Sequence, residues 1–241
     1  MSAALAMPRA APSRWKPLPV GVPLLQNGDH LSAGEFLRRY EAMPDLKKAE
    51  LLDGTVYLMA SPVRLDQHGE PDNLIQTWLG TYIISTRGVK AATNSTTRLG
   101  PDDVPQPDGL LRILPEFGGR SKLDAKGYLQ GPPELAVEIA ASSASLDAWK
   151  KQHVYRRAGI QEYLLWRTEE GRVDWWVLEG DDYVPLATCA DGILRSRVFP
   201  GLWLDVEALL NEDGAQLMSV LRRGIESAEH AAFLKKLVPM G

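Results

Sequence analysis

Cysteine is almost missing from these 241 residues: Cys189 stands alone. A single thiol excludes an intramolecular disulfide and a zinc site built from several cysteines. A reducing cytoplasm is the simplest compartment for such a chain. Histidine is scarce too, and His30, His68, His153 and His230 are scattered without ligand spacing. No apolar run approaches the roughly 18–20 residues of a membrane span. The first residues, Met1 to Arg9, lack the basic start and sustained apolar core of a secretory signal. A basic excess is also missing: 27 Lys and Arg face 31 Asp and Glu, for a net charge of −4. That balance argues mildly against a nucleic-acid partner. It does not exclude one, because an acidic metal site carries local negative charge while a basic patch elsewhere can dock. The phosphate-binding GxxxxGK[ST] and GxGxxG loops, the HExxH zinc helix and the GxSxG elbow are all absent.

What is present reads as one α/β domain with a central sheet flanked by helices. Residues 1–30 are rich in Ala and Pro without a period and read as a flexible arm. Ser32, with Glu35 three residues on, marks a helix start. Glu50 to Met59 reads as a hairpin around the Asp53-Gly54 turn. Apolar residues at helical spacing (Leu74, Ile75, Trp78, Leu79, Tyr82) predict a helix from about Leu65 to Ser85. Strands are expected at Val89–Leu99, Pro107–Leu114 and Leu135–Ala141, with a loop over 115–131. Ser142, Ser143 and Ser145 supply N-cap candidates for a helix from about Leu146 to Ala158, closed by Gly159. An antiparallel meander follows over 162–187. An extended segment covers Gly192–Leu204, and helices are expected at Asp205–Asn211 and Ala215–Leu237.

The chemistry gathers between Pro107 and Gly159. In the strand Leu135–Ala140, alternation puts Leu135, Val137 and Ile139 on one face and Ala136, Glu138 and Ala140 on the other. A carboxylate in so apolar a strand is costly unless it is paired or holds a cation. A structural salt bridge and a metal site are both open readings. Asp108 opens the preceding strand; if the two strands are neighbours, both carboxylates reach one cleft. Hard cations such as Mg²⁺ are held by one or two carboxylates. On the following helix, at about 100° per residue, Asp147, Lys151, Val154, Tyr155 and Ala158 share one arc. Lys150 falls with His153 and Arg157 on a polar arc and is expected to be solvated, so Lys151 is the better site candidate. Its plain alternative is an Asp147–Lys151 helix pair. Two carboxylates, a metal and an ammonium suit phosphodiester cleavage.

These residues resemble the Uma-two type family of restriction endonucleases, within the PD-(D/E)xK nuclease superfamily. The matching pieces are Ala49 to Tyr57, Pro107-Asp108, Pro133 to Ile139, Asp147 with Lys151 and Tyr155, Ala158 to Trp166, and Leu194 to Leu204. The resemblance runs from about Leu31 to Leu210. It implies a restriction-endonuclease-like four-stranded mixed core sheet, here with the meander added. The nuclease-like domain would span 31–212, followed by a helical extension at 213–241. It implies a Mg²⁺ site (Mn²⁺ as substitute) on Asp108 and Glu138, a catalytic Lys151, and a DNA substrate. Glu50, His68, Asp147 and Tyr155 become accessory candidates. The position two after Glu138 is Ala140, so the lysine has to come from the helix. Gly109 departs from the usual branched apolar residue. The alternative is an inactive nuclease-like protein that binds nucleic acid or a protein partner. Trp175, Trp176 and Trp203 could form a homodimer surface, although core packing is their plainer role.

Overall fold

Backbone pairing in the central sheet follows from where the chain can turn back and where it must cross over. The computed structural model describes residues 21–59, 64–140 and 144–239, with the side chains of 144–148 outside the description. The first part of the arm, the cap candidates Ser142 and Ser143, and the side chains of Ser145 and Asp147 therefore lie outside it. In chain order the elements are α1 (Ala33–Glu41), β1 (Ala49–Leu52), β2 (Thr55–Leu58), α2 (Glu70–Ser85), β3 (Val89–Thr93), β4 (Thr97–Arg98), β5 (Gly109–Ile113), β6 (Lys122–Leu123), β7 (Leu129–Gln130) and β8 (Leu135–Ala140). They continue with α3 (Ala144–Ala158), β9 (Glu162–Arg167), β10 (Arg172–Glu179), β11 (Asp182–Pro185), β12 (Ile193–Arg195), β13 (Trp203–Asp205), α4 (Val206–Leu210), α5 (Gly214–Ile225) and α6 (Ala228–Lys236).

Six strands form a mixed sheet in the order β11-β10-β9-β8-β5-β3. Every neighbouring pair is antiparallel except β8 and β9. Those two are parallel because α3 carries the chain from the end of one to the start of the next. The four-stranded core implied by the resemblance is β3, β5, β8 and β9. The meander extends that sheet by β10 and β11 rather than forming a separate layer.

The alternation read in β8 sorts the two sides. Leu135, Val137 and Ile139 join the main core with Ile75, Trp78, Leu79 and Tyr82 of α2 and Leu217 and Leu221 of α5. Ala136 and Ala140 face the other way, toward Val154 and Tyr155 of α3. The tryptophans take packing roles: Trp175 meets Trp78 edge to face at 5.9 Å, and Trp176 stacks on Tyr163 at 5.4 Å. Leu25 is buried beside α1, and the Gly28 N–H donates to the Val56 carbonyl at 2.8 Å. Among the described residues no helix is long and apolar enough to cross a membrane.

Several local expectations hold in detail. Ser32 Oγ accepts the Glu35 N–H, while the Glu35 carboxylate turns to Arg38 and Arg39. Asp53 and Gly54 both have positive φ (50° and 72°), as a type I′ hairpin turn requires. The 65–85 helix begins with a π-helical turn over Leu65–Gly69. Others are corrected. The strand expected over 89–99 breaks at Asn94 (φ 46°), so β3 stays in the central sheet and β4 joins a small sheet with β7 and β6. That small sheet and a 3₁₀ turn at Pro115–Phe117 replace the loop expected over 115–131. The helix expected over 215–237 is two helices, because Ser227 takes extended backbone and its hydroxyl caps His230 N–H at 3.2 Å.

Gly224, in the last turn of α5, is tightly packed. A methyl at Gly224 would lie 2.3 Å from the Gly201 carbonyl oxygen and 2.8 Å from the Trp203 ring. Gly224→Ala must push backbone and an indole apart, and about 1–3 kcal/mol of destabilisation is expected. Urea unfolding should show a lower midpoint with an unchanged slope.

Candidate active site

Asp108 sits one residue before β5. Its carbonyl oxygen accepts from Gln76 Nε2 of α2 (2.8 Å) and from Thr93 Oγ1 of β3 (2.9 Å). The β5–β8 register pairs Gly109 with Val137, so Asp108 falls opposite Glu138. The ladder then ends in a side chain: Asp108 Oδ2 accepts the Ile139 N–H at 2.9 Å. Gly109 is explained by the same packing. A Cβ there would lie 3.1 Å from Leu79 and 3.3 Å from the Gln76 amide that holds Asp108.

Glu138 points from β8 toward α3, as its strand face requires. Its Oε2 accepts from Lys151 Nζ at 2.9 Å and its Oε1 from the Tyr155 hydroxyl at 2.5 Å. Lys151 and Tyr155 are four residues apart and share the inward face of α3, the arc read from the sequence. Lys150 is not simply solvated; it is half-buried, donates to the Tyr57 hydroxyl and lies over the Tyr57 ring at 4.7 Å. Glu50, on β1, is fully buried. Its Oε1 accepts from the Gln106 N–H at 2.7 Å and pairs with Lys151 Nζ at 3.0 Å, while its Oε2 has no hydrogen-bond partner. His68, in the π-helical turn, places Nε2 3.5 Å from Asp108 Oδ2. That turn is fastened to the sheet by Thr168 Oγ1, which donates to the Gln67 carbonyl at 2.8 Å. Asp147 lies on α3, its side chain outside the described residues.

One member of the cluster escapes the sequence reading. Lys48 Nζ donates to Asp108 Oδ1 at 2.9 Å and to Asn94 Oδ1 at 3.3 Å. The available signal is its place two residues before Glu50, on the same face of an extended segment. Nothing local shows that this face meets Asp108, which lies across the register of other strands.

The charges account for the protonation states. Burial alone would raise Asp108, but the His68 contact, Lys48, Lys151 and the Ile139 N–H together hold its carboxyl well below the ordinary range. For Glu138, burial wins and, with the like charges of Asp108 and Glu50, pushes it upward against Lys151. Lys151 is also raised: burial disfavours its charge, but three carboxylates surround it. Lys48 is raised because Asp108 and the other carboxylates outweigh its burial. His68 is raised by its contact with Asp108. Burial and the neighbouring carboxylates keep the Tyr155 hydroxyl protonated, so it donates to Glu138.

A cation would meet hard oxygen donors here: Asp108, Glu138 and the orphaned Glu50 Oε2. A buried acceptor left without a partner costs about 1–3 kcal/mol, which a bound cation or water would recover. The donor chemistry therefore fits Mg²⁺. Against it, no three His, Cys, Asp or Glu side chains among the described residues are already grouped to hold a metal. Lys48 and Lys151 instead occupy the carboxylates. Two surface depressions of about 260 and 230 Å³ lie elsewhere, beside Trp149 and His153 of α3 and beside Leu37 and Arg38 of α1. Buried charge, which a fold does not hold without cost, is the better guide to chemistry than either hollow.

Other buried carboxylates are structural. Glu162 accepts from the Ser196 hydroxyl (2.7 Å) and from the N–H groups of Arg197 (2.7 Å) and Val198 (3.1 Å). Glu162→Ala would strand those donors at the start of β9, and a loss of about 3 kcal/mol is expected. Thermal unfolding should show it, with Glu162→Gln retaining more of the stability.

The mixed sheet with its flanking helices is a fold shared with a solved structure. It is similar to the crystal structure described as a putative nuclease belonging to DUF820 from Anabaena variabilis. The TM-score is 0.57 and the sequence identity 16%, covering 75% of this chain and 98% of that one. At that identity the likeness concerns the fold. The chain itself belongs to the Uma2 family, described as "Putative restriction endonuclease", which matches residues 33–207. No curated protein matches the sequence.

Proposed function

We propose that this chain is a divalent-metal-dependent endonuclease that hydrolyses phosphodiester bonds in DNA. One observation carries the proposal: Asp108, Glu138 and Lys151, distant in sequence, meet in one buried cluster, linked through the Ile139 N–H and the Lys151–Glu138 pair. Asp108 and Glu138 would hold Mg²⁺ or Mn²⁺, with the unpartnered Glu50 Oε2 as a further oxygen donor. The bound ion would polarise the phosphate and lower the pKa of attacking water. Lys151 keeps its proton and steadies negative charge beside Glu138. Tyr155, also protonated, fixes the rotation of Glu138 by holding Oε1. In the reaction a water oxygen bonds to phosphorus, one ester P–O bond breaks, and the leaving oxygen takes a proton.

A second reading rests on a specific observation: each of the three carboxylates already has an ammonium partner, Lys48 for Asp108 and Lys151 for both glutamates. Such an internally paired cluster suits an inactive nuclease-like protein that binds nucleic acid or a partner. Titration calorimetry with Mn²⁺, alongside nicking of supercoiled plasmid, separates the two. Saturable binding with cation-dependent nicking supports the endonuclease. Absence of both in folded protein sinks it.

A further inference from the structure

Besides any metal ion held by Asp108 and Glu138, a phosphodiester approaching three buried carboxylates would be helped by a positive side chain at the entrance. Lys151 is badly placed for that. Its side chain is 5% exposed, and its ammonium is divided between Glu138 and Glu50. Lys48 differs in each respect. Its side chain is 25% exposed while the Asp108 carboxylate beneath it is 3% exposed. It therefore lies between solvent and the acid, at the mouth of the cluster. His68 flanks the same carboxylate at 27% exposure. An ammonium has three N–H donors. Among the described residues Lys48 directs them at two acceptors, Asp108 Oδ1 and Asn94 Oδ1. One donor is left for an incoming oxygen, and Asn94 keeps the side chain at the rim if Asp108 is drawn to another cation. Its long stem starts beside β1, so the head can shift while Glu50, two residues on, stays fixed by the Gln106 N–H.

We infer that Lys48 is a substrate-contacting residue: its ammonium binds a backbone phosphate of the nucleic acid at the mouth of the Asp108–Glu138 site. The inference rests on the endonuclease reading above, and it assigns to Lys48 a role separate from that of Lys151. A phosphate contact leaves a signature that a counter-ion to Asp108 does not. Each neutralised phosphate steepens the fall of log K with log salt by about 0.9.

The test is fluorescence anisotropy of a short labelled DNA duplex, with Ca²⁺ in place of Mg²⁺, across about 50–200 mM salt. Lys48→Met should flatten the salt slope by about 0.9 and weaken binding by about tenfold at 0.1 M salt. Lys48→Arg should restore both. A wild-type slope in Lys48→Met, with a changed Ca²⁺ affinity, would overturn the inference and leave Lys48 as the counter-ion of Asp108. Cation-dependent cleavage by wild type would still stand in that case. If wild-type protein shows neither duplex binding nor cleavage, the endonuclease reading falls and takes this inference with it.

Discussion

Asp108→Asn is expected to slow cation-dependent DNA cleavage by about a thousandfold, the scale seen when a preorganised electrostatic group is lost. The substitution keeps the shape of the side chain. The amide oxygen can still accept the Ile139 N–H, so the end of the β5–β8 ladder survives. What changes is the charge, and the new NH₂ group faces Lys48 as donor against donor. Lys48 is partly solvated and can take water instead, so the fold should persist. Two readouts make the case: the nicking rate and the melting temperature with and without Mn²⁺. A ligand at a hundred times its dissociation constant stabilises by about 2.7 kcal/mol. That gain should appear in wild type and vanish in Asp108→Asn. A variant that cleaves at the wild-type rate would remove Asp108 from the chemistry.

Lys151→Met is expected to lower both activity and stability. Removing one partner from a buried ion pair costs about 3–5 kcal/mol, because the remaining charge stays buried without compensation. Here two carboxylates, Glu138 and Glu50, lose the same ammonium. The deficit should depend on pH in a definite direction. Burial already pushes Glu138 upward in the intact protein, and losing Lys151 removes the positive charge nearest to it. A carboxyl whose folded-state pKa lies above its unfolded value binds protons more readily when folded. Stability then falls as pH rises through that window and recovers as pH falls. Lys151→Met should therefore be least stable at alkaline pH, and Glu138→Gln added to it should return part of the loss. Denaturant unfolding of the single and double variants at mildly acidic and mildly alkaline pH measures both effects. A deficit independent of pH and unrelieved by Glu138→Gln would mean that the lysine stem, not its charge, matters there.

The parts of this site that could be read from the sequence are those governed by a local period. Two-residue alternation put Glu138 on the Ala136 side of β8, and helical rotation chose Lys151 over Lys150. Both follow from backbone geometry that any strand or helix imposes. Lys48 could not be read this way, because its partner lies 60 positions along the chain and is reached only through packing between elements. Glu50 is only an accessory candidate from its sequence. All four residues of β1 are buried, and a short hairpin strand does not announce that both its faces are covered. The break at Asn94 was hidden because a residue with positive φ looks like any polar residue within a strand-like run. The cap at Ser227 leaves only a weak signal, because a serine between two apolar helical runs also fits a single continuous helix.

The bond from the Ile139 N–H to Asp108 has a bearing on how relatives of this chain should be compared. The carboxylate occupies the position of a backbone acceptor, finishing the strand pairing that sets β8 beside β5. Asp108 therefore meets an architectural demand that is independent of the chemical one proposed for it. A descendant that had lost its chemistry would still need an acceptor there and would gain little by discarding the acid. The aspartate is thus a poor witness to activity in a related sequence. Lys151, whose charge serves the cluster and no backbone group, is the more informative position to inspect.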